Sequence, residues 1–276
     1  MGRSKSSVNS AVLDLADGCR GVIYVGLGGS GSLTIADGGY IRSRYGYVAA
    51  SQYSSGNVTV KGNGTTWFLY DLYNDPDCLG AALYIGSTAG SDSGGTATVT
   101  VKDGAFISVH NLDPNAPYAT KVGASGTLTG NGVLDMFGSG EGSIKAIVLG
   151  TLAPGKPQLT IDGNLELLSG STTICHVNPQ ATPQNDQVLV SNLSGGGTMT
   201  LGGTLTVVGS GTFAGGMSFM LLQTEGLRVG TFRYFNFYSF STLGNCLKPS
   251  LQYTDQAVNL LIVNTCLSAE GAYDDL

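Results

Sequence analysis

Residues 31–39 read Gly31-Ser32-Leu33-Thr34-Ile35-Ala36-Asp37-Gly38-Gly39, and the core of this stretch is an apolar residue, Thr and a second apolar residue. Such alternation puts both apolar side chains on one face of a strand and Thr on the other, which is typical of a half-buried strand. The Asp and Gly residues that follow accept a positive φ at low cost and predict a tight turn. The pattern recurs at Val58-Thr59-Val60, Val99-Thr100-Val101, Leu159-Thr160-Ile161, Met199-Thr200-Leu201 and Leu205-Thr206-Val207.

The spacing of these strand copies decides the architecture. Spacings of about 20 to 40 residues are typical of solenoid coils, in which each coil buries its inner face only by stacking on its neighbours. The sequence therefore predicts an all-β chain, best satisfied by a parallel β-helix. A β-sandwich-like or capped C-terminal part is the alternative for the last third. Helices should be scarce, with weak helical signals only near residues 10–16 and 146–152.

Composition and charge narrow the range of partners. The chain has 43 glycines, 12% charged residues and a net charge of -6, and Lys and Arg occur mostly singly. Without a basic stripe to neutralise phosphates, nucleic acid is excluded as a partner. No apolar run approaches the roughly 18 residues that span a membrane, so we expect no membrane-spanning segment. The N-terminus also lacks the apolar stretch of a signal peptide.

The cysteine pattern argues against a metal site. The five cysteines lie far apart, and neither a C-x-x-C motif nor a Cys/His pair at zinc spacing is present, so we predict no metal. An odd number leaves at least one thiol unpaired. Cys246 and Cys266 are the candidate disulfide because a short loop can bring them together, and a pair of buried free thiols is the alternative. The other three are Cys19, Cys78 and Cys175.

Two motifs resemble catalytic signatures but lack their context. Residues 26–31 match G-x-G-x-x-G, yet the sequence after Ser32 predicts a strand rather than the helix that a dinucleotide site requires. Asp92-Ser93-Gly94-Gly95 is similar to a serine-protease nucleophile segment, but both histidines, His110 and His176, lie downstream of it. We therefore predict no catalytic residues and no cofactor.

The most suggestive functional signal is a high density of aromatic residues between positions 40 and 84. Exposed Tyr and Trp side chains offer rigid contact area that stacks on sugar rings or packs against a protein. Stacking of these rings inside the coils is the competing interpretation. The candidate ligand surface comprises Tyr45, Tyr47, Tyr53, Trp67, Tyr70 and Tyr73. Three acids of the same region, Asp71, Asp75 and Asp77, predict a solvated turn, with a loose calcium site as the competitor.

Two regions resemble a known group of surface proteins. Residues 28–39 followed by 54–67 closely resemble the repeat shared by autotransporter (type V secretion) passengers and PEP-CTERM surface proteins. The ordered segments from 126–132 through 159–165 to 258–260 are similar to the C-terminal stem of autotransporter passengers. The resemblance implies a right-handed β-helix that ends in a folding-promoting cap, at a bacterial cell surface or outside the cell. Residues 266–276 depart from the family, since they contain neither a Val-Pro-Glu-Pro signal nor an anchoring helix.

These observations give an expected organisation and function. We expect an N-terminal tail or first cap at 1–20, Gly-rich passenger-type repeats at 21–120, a β-helix stem and cap at 121–265, and a disordered tail at 266–276. The expected function is that of a non-enzymatic extracellular or cell-surface module in adhesion, surface matrix or fibre self-assembly, with signal peptide and anchor not present in this chain. Its expected partners are further copies stacked end to end, or a glycan, host or matrix surface. The alternative is a polysaccharide-binding or polysaccharide-cleaving β-helix.

Overall fold

The computed structural model describes residues 3–9, 12–15, 21–70, 80–138, 144–193, 197–239 and 243–266. Within them, 27 β-strands form three sheets of nine, ten and eight strands. Sheet A contains β1 (Arg3–Asn9), β4 (Ser30–Ala36), β7 (Ser55–Lys61), β10 (Thr96–Lys102), β13 (Gly126–Gly130), β16 (Thr151–Pro154), β19 (Thr172–Val177), β22 (Thr204–Gly209) and β25 (Tyr234–Ser239).

The other two sheets take the intervening strands. Sheet B contains β2 (Val12–Asp14), β5 (Tyr40–Ser43), β8 (Thr66–Tyr70), β11 (Phe106–Asn111), β14 (Val133–Gly138), β17 (Leu159–Asp162), β20 (Val188–Ser191), β23 (Ser218–Thr224), β27 (Ala257–Asn264) and β26 (Leu247–Tyr253). Sheet C contains β3 (Val22–Val25), β6 (Tyr45–Val48), β9 (Ala82–Ile85), β12 (Thr120–Val122), β15 (Lys145–Val148), β18 (Asn164–Leu167), β21 (Met199–Leu201) and β24 (Arg228–Gly230).

Three consecutive strands, one in each sheet, make one coil. From β1 to β25, each strand pairs in parallel with the strand one coil earlier and one coil later in its sheet. Coil length varies with the loops, since Lys145 pairs with Asn164 in the shortest coil and Ser55 pairs with Thr96 in the longest. The prediction of a parallel β-helix is confirmed. The helical signal at residues 146–152 is wrong, because β15 and β16 occupy that stretch.

The Thr-centred pattern explains how the coils stack. Leu33, Val58, Val99 and Leu128 share one row of sheet A and are all buried, whereas the Thr residues that follow them in sequence lie on the outer face. Burying one such aliphatic side chain stabilises the fold by about 1.5–3 kcal/mol. One hydrophobic cluster extends along the chain from residue 25 to residue 262. The predicted alternation is therefore confirmed, and these coils share a single core.

The C-terminal end departs from the parallel pattern. There β27 pairs antiparallel with β23, and β26 pairs antiparallel with β27 at the edge of sheet B. A disulfide joins Cys246, just before β26, to Cys266, just after β27, with the Cα atoms 5.0 Å apart. The last third is thus a capped β-helix rather than a sandwich. No helix in the described part of the chain has the length and apolar character needed to cross a membrane.

Candidate functional site

A ladder of tyrosines runs along the outer face of sheet C. The strand register places Tyr24, Tyr47 and Tyr84 at equivalent positions of three successive coils. The rings of Tyr24 and Tyr47 stack with centroids 5.1 Å apart, and those of Tyr47 and Tyr84 with centroids 4.7 Å apart. Strands in a parallel sheet lie about 4.8 Å apart, so equivalent flat rings stack without distortion. We call these three residues the tyrosine ladder.

Neighbouring side chains hold the ladder in place. The Tyr118 ring meets Tyr84 edge to face, with centroids 6.2 Å apart, and its hydroxyl donates a hydrogen bond to the carbonyl oxygen of Ala89 at 3.1 Å. Lys121 Nζ lies 5.4 Å from the centroid of the Tyr118 ring and 2.6 Å from Asp92 Oδ1. This network makes the surface around Tyr84 rigid, because each ring is fixed by a neighbour.

A second aromatic group lies on the outer face of sheet B. Phe68 stacks on Tyr70 at 5.4 Å, and the His110 ring meets Phe68 edge to face at 4.6 Å and Phe137 at 5.1 Å. Arg42 contributes a guanidinium carbon 5.4 Å from the centroid of the Tyr70 ring. Phe137 is exposed, so this sheet B cluster presents apolar rings to solvent.

Two members of the tyrosine ladder, Tyr47 and Tyr84, have raised pKa values. Burial is the main cause that raises the pKa of Tyr84, and its tyrosine neighbours raise it further. The pKa of Tyr47 is raised in the same way, with burial again the largest cause. Both phenols therefore remain protonated at neutral pH and can donate as well as accept hydrogen bonds.

The structure brings together only part of the predicted ligand surface. Tyr45 and Tyr47 lie side by side on sheet C with ring centroids 6.2 Å apart, and Tyr70 belongs to the sheet B cluster. Tyr53 lies apart from them, in the turn before β7, and is 88% exposed. Tyr73 lies outside the described residues, as do Asp71, Asp75 and Asp77.

Trp67 does not belong to the surface, and its inclusion there is wrong. Its side chain is fully buried on the inner face of β8, and its Nε1 donates a hydrogen bond to Ser43 Oγ at 3.1 Å. The tryptophan ring fills space that Gly46 leaves open in sheet C. Burial with the N–H satisfied makes it a core residue.

The structure places the residues of the catalytic-looking motifs in ordinary turns and sheets. Residues 26–29 join β3 to β4, and residues 30–31 already belong to β4, so the motif leads into a strand. The Ser93 hydroxyl lies 3.4 Å from the Ser91 hydroxyl in an exposed turn. His110 packs in the sheet B cluster. His176 Nδ1 lies 2.7 Å from Oδ2 of Asp186, which belongs to the loop between β19 and β20. Among the described residues, no group of three or more His, Cys, Asp or Glu residues could hold a metal ion.

Sequence reasoning missed Tyr24, Tyr84 and Tyr118 as members of the aromatic group on sheet C. A signal for the first two exists, because Tyr24-Val25-Gly26 and Tyr84-Ile85-Gly86 are copies of one short motif. Equivalent positions of a repeat stack in a solenoid, so the two tyrosines belong to one row. Tyr118 lies in an irregular loop, and no periodic pattern indicates its position.

Fold and surface together define a parallel β-helix with ordered aromatic rings on two outer faces. Comparison with known proteins adds nothing to this description: no family model matches the sequence, and no curated protein matches it.

Proposed function

We propose that this chain is a non-enzymatic extracellular or cell-surface β-helix module, of the autotransporter-passenger kind, that acts in adhesion. The observation that carries the proposal is the stacking of Tyr24, Tyr47 and Tyr84 on a rigid outer face. Preformed aromatic surfaces bind with little loss of side-chain entropy, which favours contact with a glycan or a protein surface.

The C-terminal disulfide supports a location outside the cytoplasm. Cys246 and Cys266 lie at the two ends of the β26–β27 hairpin, where the bond closes the cap. Structural disulfides form and persist in oxidising compartments and are rare where thioredoxin and glutathione keep thiols reduced. A secreted or surface-displayed module fits this chemistry.

The same cap opposes the addition of further copies at the edge of sheet B. An unpaired edge strand can template stacking of further copies, but β26 is an edge strand that carries Lys248 and Pro249. Charged residues and prolines on an edge strand oppose pairing with another chain. We therefore expect negative-stain electron micrographs of the purified chain to show single particles; filaments would favour self-assembly as the function.

The experiment that tests adhesion uses beads coated with the purified chain. The beads are mixed with fixed bacterial cells, cultured epithelial cells and immobilised extracellular matrix, and retention is counted under flow. We expect retention on at least one surface, and a loss of most of it when Tyr24→Ser and Phe137→Ser are combined, because both rings are exposed on the aromatic faces.

A matched control separates the aromatic faces from general stickiness. Tyr234 and Tyr238 are equally exposed, but they lie on β25 of sheet A, away from both groups. The double variant Tyr234→Ser with Tyr238→Ser should keep full retention. Wild-type beads that adhere no better than uncoated beads on every surface would overturn the proposal.

A further inference from the structure

A hollow of about 180 Å³ opens beside the tyrosine ladder. It exists because of a size change in one row of sheet C: Ala82 pairs with Tyr45, so a methyl group occupies the place where the previous coil has a ring. The neighbouring residues Gly80 and Ala81 are also small and line the same hollow. A flat aromatic surface thus becomes concave at this coil.

Three tyrosines form the walls of the hollow. They are Tyr45, Tyr84 and Tyr118. The rings of Tyr84 and Tyr118 are nearly perpendicular, with an interplanar angle of 87°. Tyr84 is backed by Tyr47, and Tyr118 is held through its hydroxyl by Ala89, so the walls are fixed before any ligand arrives. Such preorganisation lowers the entropic cost of binding.

Two polar side chains, Asn111 and Asp113, also line the hollow. Asn111 is 3% exposed, and its Oδ1 accepts a hydrogen bond from the backbone N–H of Asp113 at 3.1 Å. The side-chain amide of Asn111 lines the hollow, and its N–H groups are hydrogen-bond donors. Asp113 Oδ1 accepts from the N–H of Asn115 at 2.9 Å, and its carboxylate forms no ion pair within the described chain.

Two of the tyrosine walls already make cation–π contacts within the protein. The guanidinium carbon of Arg44 lies 5.0 Å from the centroid of the Tyr45 ring, and the ammonium of Lys121 lies 5.4 Å from that of Tyr118. Two of the three walls are therefore already in contact with cations of the protein, one of which is paired with Asp92, and the lining carries the carboxylate of Asp113. An uncharged ligand with an apolar face and several hydroxyls can pack against the rings and donate to that carboxylate.

We propose that this hollow binds one pyranose ring of a neutral glycan, an inference that rests on the adhesive function proposed above. The C–H face of the sugar packs against the tyrosine walls. Adjacent sugar hydroxyls donate to the carboxylate of Asp113 and accept from the side-chain amide of Asn111. Small-molecule sites typically combine an aromatic hollow with a small number of polar groups, and these polar groups fix the orientation of the ligand.

The test is binding of the fluorescently labelled chain to an array of neutral microbial, plant and animal glycans. The glycan that binds best is then titrated by calorimetry into wild-type protein, Tyr118→Ala and Asp113→Asn. Asp113→Asn keeps the side-chain oxygen that accepts from Asn115, so the loop stays folded while the charge is lost. We expect each variant to weaken binding about tenfold, since one hydrogen bond to a charged group or one packed ring contributes about 1.4 kcal/mol.

A control variant shows whether a loss of affinity is specific to the hollow. Tyr53→Ala removes an exposed tyrosine that is not among the residues lining the hollow and should leave the affinity unchanged. Wild-type protein that binds no glycan on the array, or variants that keep full affinity, would overturn this inference. The adhesive function stands apart from it, because coated beads that are still retained on cells would show adhesion through another part of the surface.

Discussion

Trp67 and Gly46 illustrate how single residues set the geometry of the coils. The indole reaches across the core from sheet B to sheet C, and it fits because position 46 has no side chain. A Cβ atom at that position would lie 2.6 Å from Trp67 Cζ2 and 3.1 Å from Leu83 Cδ1. The hydrogen bond from Trp67 Nε1 to Ser43 Oγ prevents the ring from moving aside without cost.

Replacing Gly46 with Ala should therefore destabilise the fold by about 1–3 kcal/mol through overpacking. Urea unfolding followed by the fluorescence of Trp67, the only tryptophan of the chain, measures the change. Gly28→Ala is the matched control, because a Cβ at position 28 meets no atom within 4 Å. Equal stability of the two variants would contradict the close packing of position 46 against the indole.

The raised pKa of Tyr84 predicts that the free energy of unfolding depends on pH. Burial raises its pKa above the ordinary value of 10.0, so the unfolded chain loses the phenolic proton at a lower pH than the folded chain does. Above about pH 10 the folded state binds more protons, and the free energy of unfolding falls as the pH rises; below pH 10 this contribution is fully present.

The variant Tyr84→Phe isolates this effect. Between pH 9 and pH 11, wild-type protein should lose more stability in urea unfolding than Tyr84→Phe, which has no proton to lose at that position. The other buried tyrosines titrate in both proteins and cancel in the comparison. Parallel losses in the two proteins would show that the Tyr84 hydroxyl is not held neutral by the fold.

For single residues, the sequence predicts burial well in some strands and poorly in others. In Val58-Thr59-Val60 the polar residue marks the outer face, and the structure agrees. In Thr66-Trp67-Phe68-Leu69-Tyr70 four consecutive residues are large and apolar or aromatic, so alternation carries no information about which face is inside. The pairing of Trp67 with the buried Ile41 decides it, and that pairing is a long-range contact.

Among the elements, the β26–β27 hairpin differs most from the rest. It covers the end of sheet B with antiparallel pairing, and Leu260 and Ile262 of β27 bury their side chains in the core. Its two ends are joined by the disulfide and by a hydrogen bond from the N–H of Thr265 to the carbonyl oxygen of Cys246 at 2.7 Å. The hairpin caps the end of the solenoid, as terminal caps do in other repeat proteins.

Removing the disulfide should destabilise this C-terminal cap. The bond closes a segment with a sequence separation of 20, for which the chain-entropy estimate is about 3 kcal/mol. The double variant Cys246→Ala with Cys266→Ala should unfold at lower urea than wild type by roughly that free energy. Hydrogen exchange should rise in β26 and β27 first, and unchanged exchange there would contradict a capping role.

The positions of strands could be predicted from the alternation of polar and apolar residues where the outer face of the strand is exposed to solvent. A strand of sheet C that lies under a loop escapes this logic: all four residues of β9 are buried. Covering loops remove the need for polar residues on the outer face, so the alternation disappears. Chain distance made Cys246 and Cys266 the candidate disulfide but left buried free thiols as the alternative, and the structure shows the bond. The antiparallel partners of the hairpin depend on the packed end of the core.

At the scale of the whole molecule, coils of unequal length share one core and expose different surfaces on each sheet. Sheet A presents mainly Thr and Ser in the coils from β4 to β13, while sheets B and C present aromatic rings. This division of faces is a consequence of the strand register, because a shift of one residue would turn every inner side chain outward. The aromatic faces and the hollow exist only if the register is the one described.

Hydroxyl-radical footprinting with mass spectrometry tests this register most directly, since it reads the solvent exposure of single Met and aromatic side chains. Met136, Met199 and Trp67 are fully buried, whereas Met220 is 37% exposed and Phe137, next to Met136 in sequence, is 48% exposed. We expect rapid oxidation of Met220 and Phe137, and slow oxidation of Met136, Met199 and Trp67 until the chain is unfolded in urea. Oxidation of Met136 and Trp67 in the folded protein at the rate of the unfolded chain would contradict the β-helix described here.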